Sequence, residues 1–376
     1  MVDHRSGFDR RFMMKALPAG LLTGLAGGIA PAVAAKALAG GARPVPRFTP
    51  DAAPPLKIPE GRFLGPVTGL AIAPNGHIWL CHLTKQLEWG SPQAQWRDEA
   101  RLPPVVEFDA QGNFIQAWGG PDHLPRVDGR PQWLQNEETI SIDDEGAIWI
   151  FGANKGYDHA VQRFSPDGKL LLRIGVFGEA GDDTSRTRLG CPTDAWHDVK
   201  NREVFISDGY VNHRVVVFNS DTGEFLRAFG AYGVTPPPPN AGAQSFANPV
   251  HAISRGPDGY LYVCDRMNNR IQVFDAVGRK DARFVREIAL PGKSQHGTAF
   301  NVAFSPRGDF MFVADGDNNR IWTVDLKAWD VVDTFKVSAN EAADAVLHKI
   351  VTDRAGNLLV ARTAVGVLRF TFAGVS

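Results

Sequence analysis

The sequence has little cysteine and no excess of charge of either sign. Its three cysteines, Cys81, Cys191 and Cys264, include no Cys-x-x-Cys pair and allow at most one internal disulfide. We expect them to be small, buried core residues. Lys and Arg number 40 against 41 Asp and Glu, so the chain lacks the basic surface that binds nucleic acid or anionic membranes. After residue 39, no run of about 18 apolar residues predicts a membrane span.

Signatures of two large enzyme classes are also missing. The sequence contains no Gly-x-Ser-x-Gly nucleophile elbow and no Gly-x-Gly-x-x-Gly dinucleotide fingerprint. A serine hydrolase of the elbow type and a Rossmann dehydrogenase are therefore not predicted.

The N-terminal region has the composition of an export signal followed by a linker. Arg10 and Arg11 precede a glycine-broken apolar run, and small residues near positions 34 and 39 would permit cleavage. We expect residues 1–39 to be a twin-arginine-type signal peptide, which leaves a periplasmic or extracellular protein without a stable membrane anchor. The proline-rich residues 40–60 are expected to form a linker or wrap-around arm before a domain that fills residues 61–376.

One sequence unit recurs six times between about residue 60 and residue 374. Each copy has an alternating strand, usually a Pro/Asp-x-Gly-type turn and a second strand that is often aromatic, as in residues 138–150 and 251–265. A single unit of about 50 residues cannot bury both of its faces, whereas units packed around an axis can. We therefore predict an all-β fold, a six-bladed β-propeller.

Three of the units share a turn after their second strand. Residues 265–271 (DRMNNRI) and 315–321 (DGDNNRI) follow a D-x-x-N-x-R-I pattern, and residues 208–215 (DGYVNHRV) have one residue more. Asn tolerates left-handed backbone in such a turn, and the Asp and Arg can pair across it. This repeated pattern is typical of NHL repeats.

The start of each blade's first strand carries the candidate metal ligands. In blade order this position holds Thr68, Glu138, Thr193, His251, Phe300 and His348. First strands line the channel of a propeller, so Glu138, His251 and His348, from every second blade, are expected to converge at about 120° to one another. Two histidines and a glutamate with an open position form a known catalytic zinc set. We predict a divalent metal, zinc, at these residues; the alternative is that each histidine is satisfied by water or backbone.

Residues 65–290 resemble the peptidyl-α-hydroxyglycine α-amidating lyase (peptidylamidoglycolate lyase) family of six-bladed propellers. The resemblance is carried by residues 190–194 (GCPTD), 207–214 (SDGYVNHR) and 265–272 (DRMNNRIQ). It implies cleavage of a carbinolamide to an amide and glyoxylate at zinc, which the family binds through three histidines. His251 and His348 match two of these, and Glu138 replaces the third. The resemblance also implies that Tyr210 is the catalytic base and that Arg266 binds the substrate carboxylate.

Two further positions depart from the family pattern. Leu83, after the strand-end residue His82, stands where the family has a catalytic arginine, and Lys349 stands where it has an acidic calcium ligand. Calcium is therefore less favoured than zinc as a cofactor. We expect a peptide or small-molecule substrate that carries a carbinolamide or a similar group beside a carboxylate.

Two long connections, residues 83–104 and 118–136, hold four of the nine tryptophans. Long loops on a rigid scaffold often carry binding residues. We interpret Trp89 and Trp133, together with His82, as substrate-binding residues. The alternative is a packed cap over an apolar edge.

Two other functions fit the same pattern. Six-bladed propellers with channel glutamate ligands include metal-dependent lactonases and other hydrolases, and many NHL propellers are binding modules without catalysis. Analogy of fold does not choose among these functions. The sequence favours an enzyme because it predicts a convergent metal site.

Overall fold

The chain folds almost entirely into short β-strands. The computed structural model describes residues 43–83, 100–235, 244–292, 294–337 and 345–376, and residues Pro44–Ser376 form one unit. Short 3₁₀ turns occur at Ala231–Gly233 and Arg266–Asn268. The strands, in chain order, are β1 Pro46–Pro50, β2 Val67–Ile72, β3 Ile78–His82, β4 Val105–Phe108, β5 Phe114–Trp118, β6 Glu137–Ile142, β7 Ile148–Gly152, β8 Ala160–Phe164, β9 Leu170–Gly175, β10 Asp194–Asp198, β11 Glu203–Asp208, β12 Arg214–Asn219, β13 Phe225–Phe229, β14 Val250–Arg255, β15 Leu261–Asp265, β16 Arg270–Asp275, β17 Arg283–Ala289, β18 Asn301–Phe304, β19 Phe310–Asp315, β20 Arg320–Asp325, β21 Asp330–Lys336, β22 Leu347–Thr352, β23 Leu358–Arg362 and β24 Gly366–Val375.

These strands form six four-stranded antiparallel sheets, which are the blades of a six-bladed propeller. Blades one to five are β2–β5, β6–β9, β10–β13, β14–β17 and β18–β21, and blade six consists of β22–β24 and β1. The turns between first and second strands need backbone that glycine adopts without strain, as at Gly146 (φ 86°) and Gly259 (φ 89°). The predicted fold and repeat pattern are confirmed.

The apolar core lies between neighbouring blades. Tyr262 of blade four and Met311 of blade five belong to one buried cluster, and Trp149 of blade two and Val216 of blade three belong to another. Each sheet therefore covers a face of the next sheet, which removes apolar surface from water around the whole ring. This packing fixes the positions of the six first strands and of the side chains at their starts.

Blade six is completed by a strand from the other end of the domain. β1 pairs antiparallel with β24, with Pro46 opposite Val375 and Pro50 opposite Phe370. The assignment of residues 40–60 to a linker or arm, and of the propeller to residues 61–376, placed this boundary too late, because residues 46–50 belong to the sheet. Proline has no N–H to donate, but an outermost strand tolerates it where the N–H would face solvent.

Cys81, Cys191 and Cys264 are buried, as the sequence predicts, and all three are free thiols. None of the helices in the described ranges is long and apolar enough to cross a bilayer. The predicted signal peptide, residues 1–39, lies outside the described residues.

Candidate metal centre

Glu138, His251 and His348 each occupy the second position of a first strand, in β6, β14 and β22. In all three strands the pairing with the second strand shifts register at this residue, which leaves it as an extra, bulged residue. A β-bulge redirects a side chain and recurs next to functional sites. The bulges thus occur at the strand position that an alignment of the six blades with one another predicts for the ligands.

The three side chains converge on one point. Their ligand atoms lie within 4.8 Å of one another. Glu138 Oε1 is 3.3 Å from His251 Nε2 and 3.1 Å from His348 Nε2, and all three residues are buried. Within the described part of the chain this is the one group of three or more His, Cys, Asp or Glu residues with such geometry. The predicted convergence of blades two, four and six is confirmed.

Backbone carbonyls of the neighbouring blades orient both imidazoles. His251 Nδ1 lies 2.6 Å from the Phe300 oxygen, and His348 Nδ1 lies 2.6 Å from the Thr68 oxygen. Each Nδ1 must carry the hydrogen that is donated to the carbonyl, so Nε2 of a neutral imidazole is an acceptor. Two such acceptors that face the Glu138 carboxylate leave a position for a cation. Phe300 and Thr68 hold the equivalent position in the blade that follows each histidine. Their role in orienting the imidazoles was not predicted from the sequence.

A buried nitrogen without a partner supports the fit to a divalent metal. His251 Nε2 is buried and has no hydrogen-bond partner, since its contact with Glu138 lacks hydrogen-bond geometry. Burial lowers the pKa of His251 to about 4, so the imidazole is neutral near pH 7, as a metal ligand must be. The donor set of two imidazoles and one carboxylate fits zinc and also non-haem iron.

Tyr210 lies beside this cluster in the enlarged turn of blade three. Its hydroxyl donates a 2.7 Å hydrogen bond to Glu138 Oε1, and its ring centroid is 6.2 Å from that of His251. Burial and the charge of Glu138 raise the pKa of Tyr210 well above its usual value. The residue inserted into the blade-three turn thus contacts the cluster directly, whereas its role as the catalytic base stays a prediction.

Arg266 lies in blade four, in the 3₁₀ turn after β15. Its guanidinium carbon is 4.4 Å from the Phe300 ring centroid, and its Nε donates to the His296 oxygen over 2.7 Å. Phe300 in turn packs against His251, with the ring centroids 5.0 Å apart. Arg266 therefore forms no ion pair with a described carboxylate, and its terminal nitrogens are available to an anion.

A buried ion pair also lies in the channel. One of its members comes directly after a candidate metal ligand in the sequence. Lys349, which follows His348, pairs through its ammonium group with Asp194. Asn301 Nδ2 also lies 3.4 Å from Asp194 Oδ2. A lysine ammonium therefore provides the positive charge at the position where the resemblance places a calcium ligand, and Lys349 offers no ligand atom to calcium.

The structure does not bring His82 and Trp133 into the site. His82 is fully buried, accepts a hydrogen bond from Gly65 N and contacts the Pro103 oxygen through Nε2, so neither nitrogen is free for a substrate. Trp133 is also buried and donates to Glu137 Oε1 over 2.9 Å. Their assignment as substrate-binding residues is wrong; Trp133 belongs to the packed cap. Trp89 lies outside the described residues.

The buried His82 leads to a pH prediction. Burial first, and then the charge of Arg101, lower the pKa of His82 to about 4 from 6.5. Between these values the unfolded chain binds a proton that the folded chain does not, so the free energy of unfolding falls as the pH is lowered. We expect His82 to account for about 3 kcal/mol of this loss between pH 7 and pH 4.

Denaturant unfolding of the wild type and of His82→Gln at several pH values measures this contribution. The variant should be less stable than the wild type at pH 7.5, and the difference should shrink as the pH approaches 4. Parallel pH profiles would show that His82 does not titrate as its burial requires.

Comparison with known proteins places the chain beside NHL repeat proteins and amidating enzymes. It is 27% identical over 266 residues to NHL repeat-containing protein 3 of Mus musculus, covering 67% of each protein. It is 28% identical over 207 residues to the peptidyl-glycine alpha-amidating monooxygenase of Mus musculus, covering 52% of this chain but 19% of that protein. It is 23% identical over 251 residues to the probable peptidyl-alpha-hydroxyglycine alpha-amidating lyase pgal-1 of Caenorhabditis elegans, covering 64% of each. The chain thus resembles both groups.

No protein-family profile matches the sequence. Among solved structures, a streptogramin B lyase aligns with a TM-score of 0.49 at 12% identity, covering 88% of this chain and 98% of that one.

Proposed function

We propose that this protein is a metal-dependent lyase that cleaves a carbinolamide, R–CO–NH–CH(OH)–COO⁻, to an amide and glyoxylate. The observation that carries the proposal is the convergence of Glu138, His251 and His348, with the Tyr210 hydroxyl 2.7 Å from the carboxylate. The resemblance to the worm protein named as a probable amidating lyase supports this reaction class.

The reaction needs only a proton to be moved and one bond to be broken. The hydroxyl group loses its proton, the carbon–oxygen double bond of glyoxylate forms, and the electron pair of the C–N bond passes to nitrogen, which gains a proton. Glu138, His251 and His348 would hold the divalent ion, which would supply Lewis acidity to a substrate oxygen. No oxidant, reductant or net water is consumed.

The residues of the chain position the substrate and carry the proton. The Tyr210 hydroxyl, beside Glu138, is close enough to exchange a proton with a substrate oxygen at the cluster. The guanidinium of Arg266 holds the carboxylate through charge-assisted hydrogen bonds. Glu138 adds one negative charge compared with three neutral histidines, and Leu83 removes one cation, so the substrate is expected to differ from that of the amidating lyases; a small hydroxy acid is the alternative to a peptide.

Two measurements on the purified protein test the proposal. Elemental analysis should find about one divalent ion per chain, with zinc the expected metal, and incubation with an acylated α-hydroxyglycine should release glyoxylate.

Tyr210→Phe should keep the metal and lower the rate of glyoxylate release by about 10²- to 10⁴-fold, the usual contribution of a positioned acid or base. Metal-loaded protein that releases no glyoxylate would refute lyase activity.

The same assays separate the other functions. Hydrolysis of lactones by metal-loaded protein without glyoxylate release would favour the hydrolase alternative. Protein without metal, with a melting temperature unchanged by chelator, would favour the binding module.

We also propose that residues 1–39 direct export of the protein. N-terminal sequencing of the protein secreted by its native host tests this proposal.

A further inference from the structure

Three successive turns bring charged and polar groups to the face of the propeller that carries the metal cluster. The starts of first strands pair with the ends of second strands, as Glu137 does with Gly152 and Val250 with Asp265. The turns that follow the second strands therefore lie at the same face as the ligands. The turns of blades two, three and four carry Lys155, Tyr210 and Arg266.

Two cations lie near Tyr210. Lys155 Nζ is 5.7 Å from the centroid of the Tyr210 ring, and Lys155 is exposed. Arg266 extends from blade four onto the Phe300 ring of blade five, and its charge also acts on Tyr210. Neither cation has a carboxylate partner among the residues that the structure describes, although other cations of this face are paired, as Arg214 is with Asp208.

Two unpaired positive charges near a metal-ligand cluster repel each other and a bound cation. An anionic ligand between them converts this repulsion into attraction, and a carboxylate is the anion that the proposed reaction supplies. Lys155 can move to such a ligand, because a lysine is a point charge on a flexible four-carbon stem.

We infer that Lys155 is a specificity-determining residue, which together with Arg266 brackets the substrate carboxylate on the Tyr210 side of the metal cluster. This role rests on the proposed function and deepens it. Lys155 restores the positive charge that the buried Leu83 does not provide, but from blade two instead of blade one. The site should therefore select substrates by the charge next to the hydroxyl-bearing carbon.

Binding of two small probes to the zinc-loaded protein tests this inference without relying on turnover. Glycolate and glycolamide both carry a hydroxyl group, but only glycolate carries a carboxylate. We expect the wild type to prefer glycolate at low salt. In Lys155→Gln the affinity for glycolate should fall about tenfold, while that for glycolamide stays unchanged.

Two control variants isolate the charge of Lys155. Lys155→Arg should retain most of the preference for glycolate because it keeps the positive charge. Lys200→Gln removes an exposed lysine from the turn between β10 and β11 on the opposite face and should leave both affinities unchanged. The preference should also weaken as salt is added, since Lys155 is exposed to solvent.

The outcomes for Lys155 and for the proposed function are distinguishable because zinc content is measured in every sample. Zinc-loaded wild type and Lys155→Gln with equal glycolate affinities would overturn the role of Lys155 and leave the metal site intact. Zinc-loaded wild type that binds glycolate and glycolamide equally would overturn it as well. A wild type that takes up no metal would remove the proposed function and, with it, this inference.

Discussion

Replacing His251 and His348 together by alanine is expected to abolish stoichiometric metal binding. Both Nε2 atoms face Glu138 Oε1, at 3.3 and 3.1 Å, and the change leaves a single carboxylate as ligand. Loss of an outer-shell partner of a metal ligand typically costs 10- to 100-fold in affinity, so loss of two direct ligands should cost at least about a thousandfold. Elemental analysis after dialysis measures the loss directly.

Thermal unfolding provides a second measurement of the same change. Chelator should lower the melting temperature of the wild type, because a ligand at a hundred times its Kd stabilises the folded state by about 2.7 kcal/mol. The double variant should not respond to chelator. His77→Ala is the matched control: this histidine pairs with Glu107, away from the cluster, and its loss should leave metal content and chelator response unchanged.

A double variant that still binds one metal ion per chain would contradict the assignment. The metal would then lie elsewhere on the protein, and the contact between Glu138 and the imidazoles would need another cation, such as a proton on one histidine. A double variant that lacks metal but keeps a cooperative unfolding transition would confirm that the cluster binds metal without being required for folding.

The ring of ligands could be predicted from sequence because the blades repeat with constant geometry. Equivalent positions of successive blades lie at one depth, so an alignment alone placed Glu138, His251 and His348 together. The bulges at these residues could not be predicted, since a bulge depends on the register of the partner strand. The inward position of Trp133 was missed for a similar reason: its indole is fixed by tertiary contacts with Glu137 and Trp118.

β1 and the turns after the second strands have features that local sequence patterns do not determine. β1 falls within the proline-rich residues 40–60, whose composition predicts a linker or arm, whereas an edge strand accepts prolines at its ends. The predicted pairing of Asp and Arg across the NHL turn occurs in blade four, between Asp265 and Arg270. In blade five Trp322 Nε1 donates to the equivalent aspartate, Asp315, instead.

The Asp–Arg pair of the blade-three turn, Asp208 and Arg214, should be among the most important single contacts for stability. Arg214 and Asp208 are both fully buried, and Arg214 Nε donates to Asp208 Oδ2 over 2.9 Å. The remaining guanidinium nitrogens donate to the backbone oxygens of Asp183, Ser185 and Arg188. The pair therefore ties the turn that carries Tyr210 to residues 183–188.

Arg214→Leu is expected to lower the free energy of unfolding by about 3–5 kcal/mol, because it leaves the Asp208 carboxylate buried and unpaired. Arg320→Leu is the matched control from the same position of blade five. Among the described residues Arg320 has no ion-pair partner; it stacks on Trp322 at 5.0 Å from the ring centroid. Its loss should cost about 1 kcal/mol or less. Denaturant unfolding at pH 7.5 measures both changes, and equal losses would contradict the special role of the blade-three pair.

The two variants should also differ in their effect on the proposed lyase activity. Without Arg214, the turn of Tyr210 loses its anchor, and the 2.7 Å hydrogen bond from Tyr210 to Glu138 should weaken. Glyoxylate release by folded, metal-loaded Arg214→Leu should therefore fall, because small displacements of a positioned group are costly to the rate. Arg320→Leu should retain wild-type release. If Arg214→Leu loses stability but releases glyoxylate at the wild-type rate, then the buried pair supports the fold alone, and other contacts of the turn hold Tyr210 in place.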